Sequence, residues 1–345
     1  MDRTKIIKTA CVYMGLIFGA GFASGQEHLR FFLRYGGWGV TGIVVAGAIL
    51  ALCGWAVMDI CVRQKINNYR EFMAVVFGQK LGAVLDIVTG IFIFVIFSAM
   101  LAATGALGNE AAGLPFSWGV VFASALCFVV LLFDLQGIVR INTAISPILV
   151  AGALVLGLYA IFGSVQPAFA GQIVDNWPTS AVVYASYNLI PAVAVLTAMP
   201  NLVTTRKIAK YGGILGGMFL GIIGIVLALA MLSNIDMVGN MQLPMLALAQ
   251  NYGRLAANLY IILLFLAIFT TAATNAFSLT QWLAARTRFS AMRIKVGIII
   301  LAIAAAHVGF SNIVTHAYSF FGFLGLFIMV AIIIYFIKCP EEKRK

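Results

Sequence analysis

The chain has 345 residues, 63% of them hydrophobic and 10% charged, with 22 basic against 11 acidic side chains and a formal net charge of +11. A soluble domain is about a quarter charged, so this composition excludes a water-soluble globule and defines a membrane protein. The positive charge is scattered between apolar runs, which excludes a nucleic-acid surface with its basic residues gathered on one face.

Crossing the hydrocarbon core takes about 20 apolar residues per helix. Ten runs qualify: 6–34 (interrupted), 39–62, 81–107, 116–134, 141–163, 181–200, 211–233, 257–284, 294–312 and 317–338. The third and eighth exceed the bilayer thickness and are expected to tilt. The first is interrupted by Gly15, Gly19, Gly21 and Gly25, with Ser24, Gln26 and Glu27 among them. Glycine costs a helix about 1 kcal/mol relative to alanine. Non-helical backbone survives at membrane depth only where it is buried in protein or lines a cavity. The run therefore predicts a helix that breaks to present bare N–H and C=O groups to a solute. Gly15 and Gly19 also fit a small-residue packing face, but the remainder of the run does not.

Unpaired N–H groups at the start of a half-helix suit a carboxylate, and unpaired carbonyls suit an ammonium or a metal cation. Ile17, Gly19, Ala20 and Gly21 are placed to offer both. Glu27 follows the break directly. An intramembrane carboxylate is a functional candidate by default, here as a gate or proton carrier, or else as a cap on the outer half-helix.

Between the second and third spans, Tyr69, Phe72, Val75 and Val76 outline a short interfacial helix. The third span offers Phe94, Phe97 and Ser98 as a side wall for a solute. An outer connection, 164–180, holds Pro167, Gly171, Asp175, Trp177 and Pro178, with Trp177 as an interfacial anchor. The sixth span opens on Tyr184–Pro191, where Tyr187 and Asn188 are polar and Pro191 lacks a backbone donor. This reads as a second unwound stretch facing the first, or as an ordinary proline kink. Gly21 and Asn188 are separated by about half the chain. Five spans is an odd number, so two halves, 6–163 and 181–338, insert with opposite topology, and matched interruptions in inverted halves point to a central site. The stretch 234–256, with Pro244, is a candidate lid. In the eighth span, Thr270 and Thr271 carry hydroxyl oxygens suited to a hard cation, unless each bonds its own i−4 carbonyl.

With a cytoplasmic N-terminus, every basic residue except Arg30, Arg34 and Arg254 falls on the inner side. That follows the positive-inside rule and puts both termini in the cytoplasm. Asp59, Asp86 and Asp134 then lie near inner helix ends, and Glu110, Asp175 and Asp236 near outer loops. Cys11, Cys53, Cys61, Cys127 and Cys339 have no metal-binding spacing and read as small apolar residues. His307 and His316 read as bystanders. The basic, then apolar, start also has the outline of a signal peptide, but its removal would leave nine spans and spoil the charge pattern. No HExxH, P-loop, GxSxG or Cys/His cluster is present, so no enzyme and no cofactor are expected.

The run 19–27, the Tyr187–Asn188 pair and the ten spans resemble the YkvI-type amino-acid permeases of the amino acid–polyamine–organocation superfamily, over essentially the whole chain. The resemblance implies a LeuT-like fold, with five plus five inverted helices and helices one and six unwound. It makes the Ile17 carbonyl the acceptor of a substrate amine, and the Ala20 and Gly21 amides the donors to its carboxylate. It makes the Gly15 and Phe18 carbonyls, with Thr270 and Thr271, a sodium site. Some relatives place an Asn after the glycine corresponding to Gly21, to hold a second sodium; here that residue is Phe22. Some proton-coupled relatives place a Lys in helix five; this fifth span has none, which favours sodium. The Asp-Pro-Gly-Asn signature of the metal-ion branch is absent.

The expectation is an all-α polytopic protein of the cell membrane, one domain over 1–345, that symports sodium with a small zwitterion, foremost an amino acid, by alternating access. Proton coupling, an uncoupled channel and a sensor without flux are the other readings. The implied partners are the small solute and the lipid bilayer; oligomeric state is left open.

Overall fold

The computed structural model describes residues 2–132, 136–163 and 176–338, with 136–146 by backbone alone. Asp134, Pro167, Gly171, Asp175, Cys339, Lys343, Arg344 and Lys345 lie outside the described residues, as does the side chain of Arg140. In chain order the helices are α1 (Asp2–Ile17), α2 (Ala20–Ser24), α3 (Gln26–Phe31), α4 (Gly37–Gln64), α5 (Tyr69–Phe77), α6 (Gln79–Ala112), α7 (Phe116–Leu132), α8 (Gln136–Gly163), α9 (Trp177–Leu196), α10 (Arg206–Leu232), α11 (Ile235–Val238), α12 (Pro244–Asn251), α13 (Arg254–Ala284), α14 (Ala291–Ala306), α15 (Phe310–Asn312) and α16 (Ser319–Lys338). A π-helical turn, Ile313–Tyr318, joins α15 to α16. Among the described residues, α4, α6, α9, α10, α13 and the run Phe310–Lys338 are long and apolar enough to cross a membrane. The expected runs 6–34 and 294–312 fall on shorter pieces, α1 with α2 and α3, and α14.

Local chemistry sets several ends. Asn68 caps α5 by accepting from Glu71 N at 2.9 Å, and Thr205 caps α10 by accepting from Ile208 N at 3.3 Å. The cap of α5 completes the short helix expected after the second span, with Phe72 and Met73 buried beneath it.

In lipid, helices gain nothing from hiding apolar surface, so small residues that let backbones touch dominate their contacts. The α10 glycines do this against α4 and α1. A Cβ on Gly213 would collide with the backbone of Trp55, and one on Gly217 with that of Ala51. Gly216 faces the Tyr13 ring, whose hydroxyl donates to Leu50 O at 2.7 Å. The buried Asp59 of α4 pairs with Arg63 at 2.5 Å and with Arg206 of α10 at 3.0 Å. On the other side of the bundle α6 packs on α13, where Asp86 pairs with Arg286 and accepts from Trp282 Nε1 at 3.3 Å. Gly322 and Gly325 bring α16 against α9, and Ser186 Oγ donates to Gly322 O at 2.5 Å.

One expectation is corrected here. The chain does not unwind over Tyr184–Pro191; α9 runs unbroken from Trp177 to Leu196. Pro191 deprives the Tyr187 carbonyl of its i+4 donor, but the surrounding turns hold. Asn188 Nδ2 adds a bond to Tyr184 O at 3.0 Å, and the helix is buried along most of its length. The irregular backbone comes later, after Leu196 and before α10.

Gly217→Val should lower stability by about 1–3 kcal/mol, the usual cost of overpacking, whereas Gly297→Ala, with nothing within 4 Å of its Cβ, should leave it unchanged or slightly raised. Thermal unfolding in detergent checks both.

Candidate substrate and cation site

The first span breaks at Phe18–Gly19. Phe18 N makes the last regular bond of α1, to Met14 O at 2.8 Å, and Gly19 N turns back to Ile17 O at 2.7 Å. That short turn bends the chain before α2 begins. The Ala20, Gly21 and Phe22 amides open α2 with no preceding turn to bond, and among the described residues none reaches a partner. The Gly15 and Phe18 carbonyls are likewise unbonded among the described residues. The helix resumes in two pieces, because Gly25 adopts φ +82° between α2 and α3 with Met231 and Met245 packed where a Cβ would stand. Only glycine meets both demands without strain.

A cavity of about 170 Å³ opens on the break. Gly15, Phe18, Thr270 and Thr271, the four residues expected to hold a cation, all line it, together with Gly19. Thr271 Oγ1 lies 3.7 Å from where a Cβ on Gly19 would be. Thr270 spends its proton on Leu266 O at 2.8 Å and keeps oxygen lone pairs, whereas the Thr271 hydroxyl has no hydrogen bond among the described residues. The cavity continues along α13 past Thr274, Asn275 and Ser278. Their own i−4 bonds, at 2.8, 2.8 and 2.9 Å, anchor them to the helix.

The expected substrate residues divide. Ile17, Ala20 and Gly21 belong to the break but do not line this cavity. From α9 it is Pro191, Ala192 and Val195 that line it, not Tyr187 or Asn188; from α6 it is Ile93, not Phe94, Phe97 or Ser98. The helical period accounts for the difference on α6: one residue is a 100° rotation, so Ile93 lines this cavity and Phe94 turns aside. Phe97 is buried elsewhere in the core, and Ser98 Oγ bonds Phe94 O at 2.9 Å.

Tyr187 belongs instead to a second, buried cluster of aromatic rings. Its ring lies 5.4 Å from that of Tyr184, 5.1 Å from Tyr318 and 5.3 Å from Phe31. Glu27 reaches into this cluster, 6% exposed, with the Tyr184 and Tyr187 hydroxyls as its polar neighbours. Its carboxylate presses on Gly21 so closely that a Cβ there would strike Oε1. Good hydrogen-bond geometry is not achieved: Glu27 Oε2 and both tyrosine hydroxyls are buried without a partner among the described residues. Unpartnered buried polar atoms are rare, and three of them gather in this one cluster. Next to Glu27, His28 is buried against Phe22 with its Nδ1 unpartnered. Sequence reasoning passed over His28, whose one available signal was its place beside Glu27 after the break.

The stretch 234–253, the candidate lid, is tied to the helices around the break. Gln242 N and Leu243 N donate to the Glu110 carboxylate at 2.8 and 3.2 Å, at the start of α12. Gln26 donates to Met241 O and Gln242 O at 3.1 and 3.0 Å and accepts from Ser311 Oγ at 2.7 Å. Tyr260 OH on α13 donates to Ala23 O of α2 at 2.6 Å.

These features define an integral membrane protein whose interrupted first span meets an oxygen-lined cavity. No protein-family model matches the chain. It is 27% identical over 350 residues to the uncharacterized membrane protein YkvI of Bacillus subtilis (strain 168), covering 100% of this chain and 99% of that protein. Among solved structures it superposes on Mhp1, a nucleobase-cation-symport-1 family transporter in a closed conformation with bromovinylhydantoin bound, at a TM-score of 0.68 and 14% identity over 96% of this chain and 77% of that one. It also superposes on MhsT in complex with L-phenylalanine, at a TM-score of 0.63 and 15% identity over 95% and 88%. The fold is therefore LeuT-like. Ligands as different as a hydantoin and an amino acid occupy it, so the fold does not choose the solute.

Gly21→Ala should destabilise the protein by about 1–3 kcal/mol through its collision with Glu27. Glu27→Ala in the same chain should recover most of that loss. A double-mutant cycle by thermal unfolding reads the coupling; simple additivity would mean that the two residues do not touch.

Proposed function

We propose that this protein is a cation-coupled secondary transporter for a small zwitterionic solute, foremost an amino acid, working by alternating access. In this reading ten spans form two inverted five-helix halves, 6–163 and 181–338, and both termini are cytoplasmic. The observation that carries it is the meeting of unbonded Gly15 and Phe18 carbonyls with the Thr270 and Thr271 hydroxyls in one cavity. A hard cation takes oxygen ligands, and sodium is the cation proposed. The solute would lie against the break, with its carboxylate on the free Ala20 and Gly21 amides and its amine toward the Ile17 carbonyl. Cation binding would then favour the same backbone arrangement that the solute needs, which is the basis of coupling.

Glu27 supports proton coupling as a second reading. It is a buried carboxylate with no cationic partner among the described residues, and it sits against the Gly21 amide region. A substrate carboxylate placed there would face a like charge unless Glu27 carried a proton.

Thermal stability of the purified protein against the twenty amino acids, in sodium and in potassium, tests both readings. A ligand at 100 times its Kd stabilises by about 2.7 kcal/mol. One amino acid is expected to raise the melting temperature, more in sodium than in potassium, and Thr271→Ala should remove the sodium dependence. A shift indifferent to sodium that weakens as pH rises, and that becomes independent of pH in Glu27→Gln, would favour the proton. No shift with any amino acid would reject the zwitterion.

A further inference from the structure

A cavity of about 250 Å³ lies apart from the helix break, lined by Arg30, Phe31, Arg34, Asn176, Thr179 and neighbouring residues. Arg30 lies on α3 and Arg34 in the short turn after it, and both line this one cavity. Among the described residues no acidic side chain lines the cavity. Among the described residues neither arginine has a carboxylate within ion-pair distance. Arg30 Nε is buried and unpartnered, while Arg34 is set by Tyr35, whose ring lies 4.7 Å beneath its guanidinium carbon. Asn176 and Thr179 add neutral donors. Like charges one helical turn apart repel, and a buried unmatched N–H is costly; an oxyanion between the arginines relieves both. Carboxylate and phosphate match the planar guanidinium fork.

The position of the cavity names the ligand. Phe31 lines it, and the same ring packs on Tyr184 and Tyr187 at 5.7 and 5.3 Å, the two tyrosines that neighbour Glu27. One aromatic side chain thus touches both the cavity of the two arginines and the buried cluster that holds the Glu27 carboxylate. A zwitterion entering there is turned by the field, carboxylate toward the arginines and amine toward Glu27.

We propose that the Arg30–Arg34 cavity is an oxyanion site that holds the carboxylate of the solute before it passes Phe31. The choice of solute rests on the reading of the protein as a transporter of zwitterions; the oxyanion site itself does not. The shared chemistry also admits the phosphate of a lipid headgroup, since the exposed Phe323 stands at the rim.

The test is thermal stability of the full chain in detergent at fixed ionic strength. The probes are 4-methylpentanoate (carboxylate only), isoamylamine (amine only), leucine and dioctanoyl phosphatidylglycerol. The wild type should be stabilised by 4-methylpentanoate and not by isoamylamine. Arg30→Gln and, separately, the exposed Arg34→Gln should weaken that response by at least about tenfold, the loss expected for a charge-assisted pair. Arg254→Gln, which removes the same charge elsewhere, should not. An unchanged response in both cavity variants overturns the proposal, and so does stabilisation by the phosphatidylglycerol alone. Arginine-dependent binding of 4-methylpentanoate with no amino-acid response upholds this site and rejects the zwitterion. An amino-acid response that survives both cavity substitutions does the reverse.

Discussion

The governing constraint is that a backbone inside a bilayer has no water to bond, so each peptide group must find a partner in the protein or face a ligand. This chain meets the rule almost everywhere with helices and relaxes it at Phe18–Gly19. There, among the described residues, the carbonyls of Gly15 and Phe18 and the amides of Ala20 to Phe22 stand unbonded. The surroundings are built to tolerate this. Thr270 and Thr271 supply oxygens across the cavity, and Gly25 lets the chain resume as a second short helix folded close to the first. Close backbone contacts of α10 with α1 and α4, through Gly213, Gly216 and Gly217, hold the first half of the broken span in place.

Much of this was legible in the sequence, for physical reasons. Four glycines within the run 15–27 are hard to reconcile with a continuous lipid-embedded helix. Adjacent threonines in an apolar span expose hydroxyls to whatever lies opposite, and Thr271 does face Gly19. The α9 reading failed because proline removes one donor whether a helix breaks or merely loses a bond. Only the packing of Tyr187, Asn188 and their neighbours decides between the two, and packing is a property of the assembled bundle. In the third span, one residue of helical phase decides which side chain lines the cavity, and there it is Ile93 rather than Phe94.

Glu27 was visible as an intramembrane carboxylate, but its contact with Gly21 was not. That contact depends on the turn at Gly25, which folds α3 back so that a side chain six positions later presses on the start of α2. The same turn gathers Phe31 onto Tyr184 and Tyr187. A single left-handed glycine therefore decides which residues share the compartment, and no local pattern in the sequence announces the partners it selects.

The fastening of α12 carries a mechanical consequence. Glu110 receives two amides at its start, Gln26 clasps the carbonyls just before it, and Tyr260 grips the second piece of the broken span. These bonds belong to four separate stretches of chain, so none can slip without straining the others. Opening this end of the bundle would mean breaking those bonds together, as with a latch of several tongues, rather than swinging one flap.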